Sequence, residues 1–142
     1  MLGLAAVLPA VLASHSVVYS DLVRPGGPSS GASRGSAAVY TKYTLSATAF
    51  PLASCLDSGP GAFYVRPGNP TKVRIFFQGG GWCVSDEDCY ARSQTDLGST
   101  RRLPSTSVDP AGYCGASFLS SDPKINPTIA DWTAVYVPYC EC

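Results

Sequence analysis

Residues 74–83 read RIFFQGGGWC, an apolar run that ends abruptly in three glycines, a tryptophan and a cysteine. The run over residues 72–78 (KVRIFFQ) has the β-branched and aromatic content of a strand. Glycine has no Cβ, so the backbone N–H groups of a glycine-rich turn can bind a negatively charged oxygen at close range. Spacing alone leaves two interpretations, a tight turn or an anion-binding loop, and it favours the turn.

The residues after the glycines predict a helix. Ser85 is followed three positions later by Asp88, which resembles a capping box and predicts a helix that starts near Asp86 and runs toward Ser93. The acidic residues in its first turn suit the positive end of the helix dipole.

Three further strands are predicted around this unit. Their ranges are 38–47, continued by 50–56 after a proline, then 62–66 and 133–139. The PGNP turn between 62–66 and 72–78 predicts a hairpin or adjacent strands. Turn residues dominate 96–127, so strand 72–78, this long crossover and strand 133–139 predict a parallel pair in an α/β sheet.

The composition limits the class of protein. The chain has 142 residues, which suits one core, and its ten basic residues balance ten acidic ones. Neither the basic nor the acidic residues form a long block, so nucleic-acid binding is not predicted. No apolar run is long enough for a membrane span. No cofactor is predicted, because the glycines match neither a dinucleotide-binding nor a Walker loop.

The N-terminal residues predict secretion. Residues 1–13 are apolar, with Val11 and Ala13 ahead of Ser14, as is typical of a signal peptide, although no charged residue precedes them. The alternative is a buried N-terminal strand or helix. Residues 14–37 include a Pro/Gly/Ser-rich stretch and are predicted to be a linker, which leaves 38–142 for the folded domain.

All the cysteines follow that predicted signal peptide. An even number in an extracellular or cell-wall protein predicts disulfides, but spacing does not choose the pairs. A metal site is not predicted, because no C-x-x-C spacing occurs and the single histidine is His15. The six cysteines are Cys55, Cys83, Cys89, Cys114, Cys140 and Cys142.

Several short stretches of the chain occur in a characteristic order. They are CLDSGPGAFYVRPG at 55–68, FFQGGGWC at 76–83, CYARS at 89–93, LG at 97–98, LSSDPKINP at 119–127, DW at 131–132 and VYVPYC at 135–140. In this order they resemble the pectin acetylesterase/Notum family, a far more specific signal than one glycine run. The resemblance implies that 38–142 is the N-terminal portion of an α/β-hydrolase-like domain with a parallel or mixed sheet.

The resemblance also implies a chemistry. The family is one of secreted carboxylic-ester hydrolases with a serine nucleophile, so the expected partner is an acetylated polysaccharide or another acyl ester. By resemblance, the loop of Gly80, Gly81 and Trp82 supplies backbone donors to an oxyanion hole. The alternative for Trp82 is a core residue that covers the glycines. The family often has a carboxylate where this chain has Gln78, which leaves the role of that amide open.

Two disulfide pairs are implied by the same resemblance. They are Cys83–Cys89, beside the glycine loop, and Cys55–Cys140, with Cys114 and Cys142 left as a remainder.

No catalytic triad is predicted within the chain. A G-x-S-x-G sequence around Ser33 lies in the predicted linker, without the strand and helix that a nucleophile elbow needs. His15, the only candidate general base, lies beside the predicted cleavage site. In the family the serine, aspartate and histidine follow the strand at 133–139, so they are expected beyond Cys142. The alternative is a non-catalytic, secreted, disulfide-stabilised module derived from the same fold.

Overall fold

The computed structural model describes residues 39–108 and 117–141. The predicted signal peptide and linker, His15, Ser33, Cys114 and Cys142 lie outside the described residues. The strands are β1 (Tyr40–Thr44), β2 (Ala62–Arg66), β3 (Asn69–Phe77), β4 (Thr106–Ser107) and β5 (Trp132–Val137). A helix, α1, spans Asp86–Ser93.

The strands form one mixed sheet in the order β3-β5-β2-β1-β4. β1 pairs antiparallel with β2 and β4, and β2 pairs antiparallel with β5. β3 and β5 are parallel, which confirms the predicted parallel pair and its long crossover connection. The glycine loop follows the carboxyl end of β3. Because β3 and β5 are parallel, β5 ends at the same side of the sheet.

The predicted hairpin of strands 62–66 and 72–78 is wrong, because β5 lies between β2 and β3. The segment between β2 and β3 contacts the residues that precede β5. It does not bring β3 into pairing with β2. The N–H of Asn69 donates to the carbonyl of Asp131 at 2.7 Å, and a Cβ on Gly68 would collide with the same carbonyl. The chain does reverse direction between β2 and β3, but Asn69 and Pro70 of the predicted turn already belong to β3, and the strand that pairs comes from far along the chain.

The predicted continuation of the first strand through 50–56 is also wrong. Turns occupy 51–52, and the only ladder contact of this segment is an isolated bridge between Ser54 and Pro60. Pro51 has no N–H to give to a ladder, which disfavours a strand through this position.

The core lies on one face of the sheet. Its buried cluster consists of Tyr40, Tyr64, Leu119, Ala134 and Tyr136. Leu119 belongs to the crossover connection and receives a hydrogen bond on its carbonyl from the Tyr40 hydroxyl at 2.8 Å. The crossover is thus anchored to β1 by the core itself.

Two buried arginines also hold the crossover on the sheet. Arg66 and Arg74 are both paired in register with Ala134, so the three side chains share the core face. Arg66 donates to the carbonyls of Ala130 and Trp132, at 3.0 Å each. Arg74 donates to three carbonyls of the crossover at residues 118–120. The two guanidinium groups therefore serve as hydrogen-bond donors to backbone oxygens at the end of a helical turn at 117–119 and at the start of β5.

A disulfide between Cys55 and Cys140 joins the segment before β2 to the segment after β5, with 4.9 Å between the Cα atoms. Next to it, the N–H of Leu56 donates to the carbonyl of Cys140 at 2.8 Å. None of the helices in the described residues has the length and apolar character needed to cross a membrane.

Candidate active site

The helix predicted after the glycine loop is present and spans Asp86–Ser93. The Ser85 hydroxyl caps it by accepting the N–H of Asp88 at 3.2 Å, and the Asp88 carboxylate accepts the N–H of Val84 at 3.0 Å. A second disulfide, Cys83–Cys89, brings the Cα atoms of loop and helix to 5.1 Å. Both disulfides between described residues are pairs that the family resemblance implies.

Two of the three glycines are required by the geometry of the loop. Gly81 has φ of +74°, in the left-handed region that residues with a Cβ rarely adopt. Gly80 packs against the ring of Tyr139, and a Cβ there would collide with that ring. A Cβ on Gly79, by contrast, would meet nothing within 4 Å. Position 80 is therefore where the loop approaches the ring of Tyr139, and position 81 is where the backbone is left-handed.

Arg92 binds the carbonyl side of the loop. Its Nη1 lies 2.8 Å from the carbonyl oxygen of Gly80 and 3.3 Å from that of Gly81, and its Nη2 lies 3.4 Å from that of Trp82. The hydroxyl of Tyr139 also donates to the carbonyl of Gly81. Three successive carbonyls thus face one guanidinium.

The N–H side of the loop points the other way. In a trans peptide the N–H is antiparallel to the preceding carbonyl, and the described residues contain no cis bond. Since the carbonyls of Gly80 and Gly81 face Arg92, the N–H groups of Gly81 and Trp82 point away from it. Within 39–108 and 117–141, no hydrogen bond uses either of these N–H groups. Two neighbouring donors of this kind can bind an anionic oxygen.

Gln78 anchors the start of the loop. Its backbone N–H continues the pairing with β5 by donating to the carbonyl of Val137 at 2.9 Å. Its side-chain oxygen accepts from the Tyr136 hydroxyl at 2.6 Å and from the Tyr139 N–H at 3.0 Å. In these bonds the side chain is an acceptor only, a function that either an amide or a carboxylate can perform.

Trp82 is not the core residue that the alternative interpretation required, because it is 80% exposed. Its ring extends from the same segment that presents the unused N–H groups. An exposed aromatic beside an anion-binding loop is available to contact a bound substrate.

The sequence interpretation missed Arg92 and Tyr139. A basic residue is common in the last turn of a helix, where it interacts favourably with the helix dipole. The presence of an arginine there therefore does not by itself indicate a contact with the loop. The contacts of Arg92 span ten to twelve residues and depend on the path of the loop. Tyr139 was assigned to strand 133–139, but it follows β5 and packs on the loop.

A buried serine, Ser99, and a half-buried aspartate, Asp57, also lie together. The hydroxyl of Ser99 donates to the Asp57 carboxylate at 2.6 Å, and Arg101 Nε lies 3.1 Å from the same oxygen. Ser99 is only 1% exposed, so a substrate cannot reach its hydroxyl. In the part of the chain that the structure describes, no cluster of three His, Cys, Asp or Glu side chains could hold a metal ion.

Comparisons with known proteins agree with the motif order. A family model described as Pectinacetylesterase matches residues 35–142. The palmitoleoyl-protein carboxylesterase notum1a of Danio rerio is 35% identical over 88 residues, which are 61% of this chain and 17% of that protein. Pectin acetylesterase 5 of Arabidopsis thaliana is 32% identical over 92 residues, 63% of this chain and 20% of that protein.

A third relative is shorter. The inactive palmitoleoyl-protein carboxylesterase notum1b of Danio rerio is 34% identical over 88 residues, 61% of this chain and 60% of that protein. The chain therefore spans less than two thirds of each of these relatives.

Proposed function

This chain belongs to the pectinacetylesterase family, and from that membership we propose that it supplies the oxyanion loop of a secreted carboxylic-ester hydrolase with an α/β-hydrolase fold. The observation that carries the proposal is the orientation of the loop. The carbonyls of Gly80 and Gly81 are held by Arg92, so the N–H groups of Gly81 and Trp82 point away as donors that no acceptor within 39–108 and 117–141 uses. Gly80 itself contributes the close packing on Tyr139.

In the proposed reaction, a serine Oγ attacks the carbonyl carbon of an O-acyl ester, and its proton passes to a histidine. The carbonyl oxygen becomes an oxyanion, which accepts hydrogen bonds from Gly81 and Trp82. The intermediate collapses, the alcohol leaves with the proton from the histidine, and water releases the acid from the acyl-enzyme. Each well-aimed oxyanion donor contributes about a hundredfold to a thousandfold in rate.

The triad is proposed to lie in sequence that follows Cys142. The single histidine, His15, is beside the proposed cleavage site, and Ser33 has no predicted strand or helix around it. The non-catalytic alternative is not favoured, because the family model and the relatives notum1a and pectin acetylesterase 5 carry the names of esterases.

Two disulfides suit an oxidising compartment and support the proposal of an extracellular or cell-wall location. We retain residues 1–13 as the proposed signal peptide, 14–37 as a linker and 38–142 as the N-terminal part of the hydrolase domain. The proposed substrate class is an O-acyl ester such as an acetylated polysaccharide.

The test begins with transcript reads that cross the codon of Cys142. We expect them to encode a strand, a G-x-S-x-G elbow, and then an aspartate and a histidine. The protein translated from these reads should release p-nitrophenol from p-nitrophenyl acetate and acetate from acetylated pectin. Replacing the elbow serine by alanine should abolish both activities, while Ser33→Ala should leave them unchanged. A stop codon directly after Cys142, or activity that depends on Ser33, would overturn the proposal.

A further inference from the structure

We propose that Arg92 is the positioning residue of the oxyanion loop, orienting its peptide planes so that the N–H groups of Gly81 and Trp82 face the reacting ester. The inference rests on the proposed function of this loop. In this role Arg92 touches neither the ester nor the nucleophile. It fixes the orientation of the N–H groups that bind the oxyanion.

Three backbone carbonyls of the loop converge on the side chain of Arg92. The guanidinium of Arg92 is within 3.4 Å of the carbonyl oxygens of Gly80, Gly81 and Trp82. These residues belong to neither helix nor strand, so no ladder fixes the orientation of their peptide planes. The planar guanidinium group has several N–H donors, so it can fix the orientation of several peptide planes at once. A single hydroxyl or ammonium group does this less well.

Helix α1, which holds Arg92, is itself fixed to the loop. Arg92 lies in the last turn of α1, and the Ser85 cap defines where that helix begins. The Cys83–Cys89 disulfide ties the helix to the end of the loop. The cap, the disulfide and the guanidinium contacts therefore hold the loop against one short helix, so that the loop is pre-organised before substrate arrives.

The charge of Arg92 and the loop dipoles act together. The Gly80–Gly81 and Gly81–Trp82 peptides have their carbonyls toward the cation and their N–H groups on the opposite side, where the oxyanion is proposed to bind, so the dipoles and the guanidinium charge act in the same direction. Neither ion pair in the described residues involves Arg92; they join Arg101 to Asp57 and Arg102 to Asp96. In that part of the chain, no carboxylate ion pair offsets the positive charge of Arg92 behind the loop.

Tyr139 is a second, weaker contact on the same side. Its hydroxyl donates to the Gly81 carbonyl alone, whereas Arg92 contacts three carbonyls. The geometry therefore predicts a graded series in which Arg92→Ala has a larger effect than Tyr139→Phe.

The kinetic test uses the protein translated from the transcript, assayed on p-nitrophenyl acetate. Arg92→Ala should lower kcat by about tenfold to a hundredfold with KM unchanged, because the oxyanion exists only in the transition state and intermediate. Arg92→Lys should restore part of kcat, since it keeps the charge and loses the fork. The matched control is Arg102→Ala, in which an exposed arginine of an exposed ion pair is removed; its kcat should stay unchanged.

A second readout does not depend on hydrolysis. In the same protein, ¹⁵N relaxation should show the order parameters of Gly80, Gly81 and Trp82 falling from about 0.85 to below about 0.6 in Arg92→Ala, but not in Arg102→Ala. If no variant hydrolyses the ester, the proposed function fails while this readout still tests the positioning. Unchanged order parameters, or a rise in KM at constant kcat, would overturn the inference. If Arg92→Ala does not fold, the same criteria apply to Arg92→Lys.

Discussion

The side-chain oxygen of Gln78 accepts a hydrogen bond from the hydroxyl of Tyr136 across the parallel pair of strands, at 2.6 Å. The same oxygen accepts the N–H of Tyr139, so one amide links the start of the glycine loop to the end of β5. Because Tyr139 in turn packs on Gly80 and donates to Gly81, Gln78 supports the loop indirectly.

This relationship predicts different outcomes for two substitutions of Gln78. Gln78→Glu keeps an acceptor for both donors and should change the free energy of unfolding by less than about 1 kcal/mol at neutral pH. Gln78→Met is similar in length but removes the acceptor, and it should cost about 1–3 kcal/mol. Urea unfolding of both variants measures the difference. Equal destabilisation by the two would show that the acceptor has no structural role.

Gly80 and Gly79 offer a matched pair of alanine substitutions. Gly80→Ala should displace Tyr139 and lower the free energy of unfolding by about 1–3 kcal/mol, because the new Cβ overlaps its ring. Gly79→Ala places its methyl group in open space and should change stability by less than about 0.5 kcal/mol. Thermal unfolding of the two variants under one set of conditions provides the measurement. A smaller effect at position 80 than at position 79 would contradict the packing described above.

Local patterns predicted the elements around the site well. The capping residue Ser85 fixed the start of α1, and the bounds of β2 were predicted without error. Both depend on neighbours in sequence, since a cap acts over one helical turn and strand alternation is a property of consecutive residues. The need for glycine at position 81 also follows from a local quantity, its positive φ.

Long-range contacts could not be predicted in the same way. The insertion of β5 between β2 and β3 depends on pairing Ala134 with both Arg66 and Arg74, which lie 60 or more residues away in sequence. The role of Arg92 depends on how the loop turns back over α1, which no periodicity encodes. Buried arginines bonded to carbonyls also violate the expectation that a core position is apolar.

Asp57 should make stability depend on pH. Burial of its carboxylate opposes ionisation, but hydrogen bonds from Ser99 and the Gly59 N–H and the charge of Arg101 together lower its pKa below the ordinary value of 3.8. A lowered pKa in the folded state contributes stability that is present above the unfolded pKa and is lost as pH falls through the folded pKa. The free energy of unfolding should therefore decline as the pH falls from about 5 through the lowered pKa of Asp57.

The variant Asp57→Asn isolates this contribution. It keeps the shape of the side chain, so it should lower stability at neutral pH by about 1–3 kcal/mol and flatten the acid limb of the profile. Asp96→Asn is the control, because the ion pair that Asp96 forms with Arg102 is exposed and 3.8 Å long. Chemical unfolding at a series of pH values measures both. An acid limb of equal slope in Asp57→Asn and in the unmodified protein would refute the assignment.

The two disulfides should differ in their contribution to global stability because they close loops of different length. The Cys55–Cys140 bond spans 85 residues and the Cys83–Cys89 bond spans 6. A crosslink removes conformational entropy from the unfolded chain by a constant plus an amount that rises with the logarithm of loop length, which gives about 4.6 kcal/mol for the long loop and about 2.2 kcal/mol for the short one. Replacing each pair by alanines and measuring urea unfolding, with peptide mapping to verify the remaining pair, tests the difference. A larger loss from the short pair would mean that its main effect is on the folded loop beside α1, and the entropic account would then be wrong for this protein.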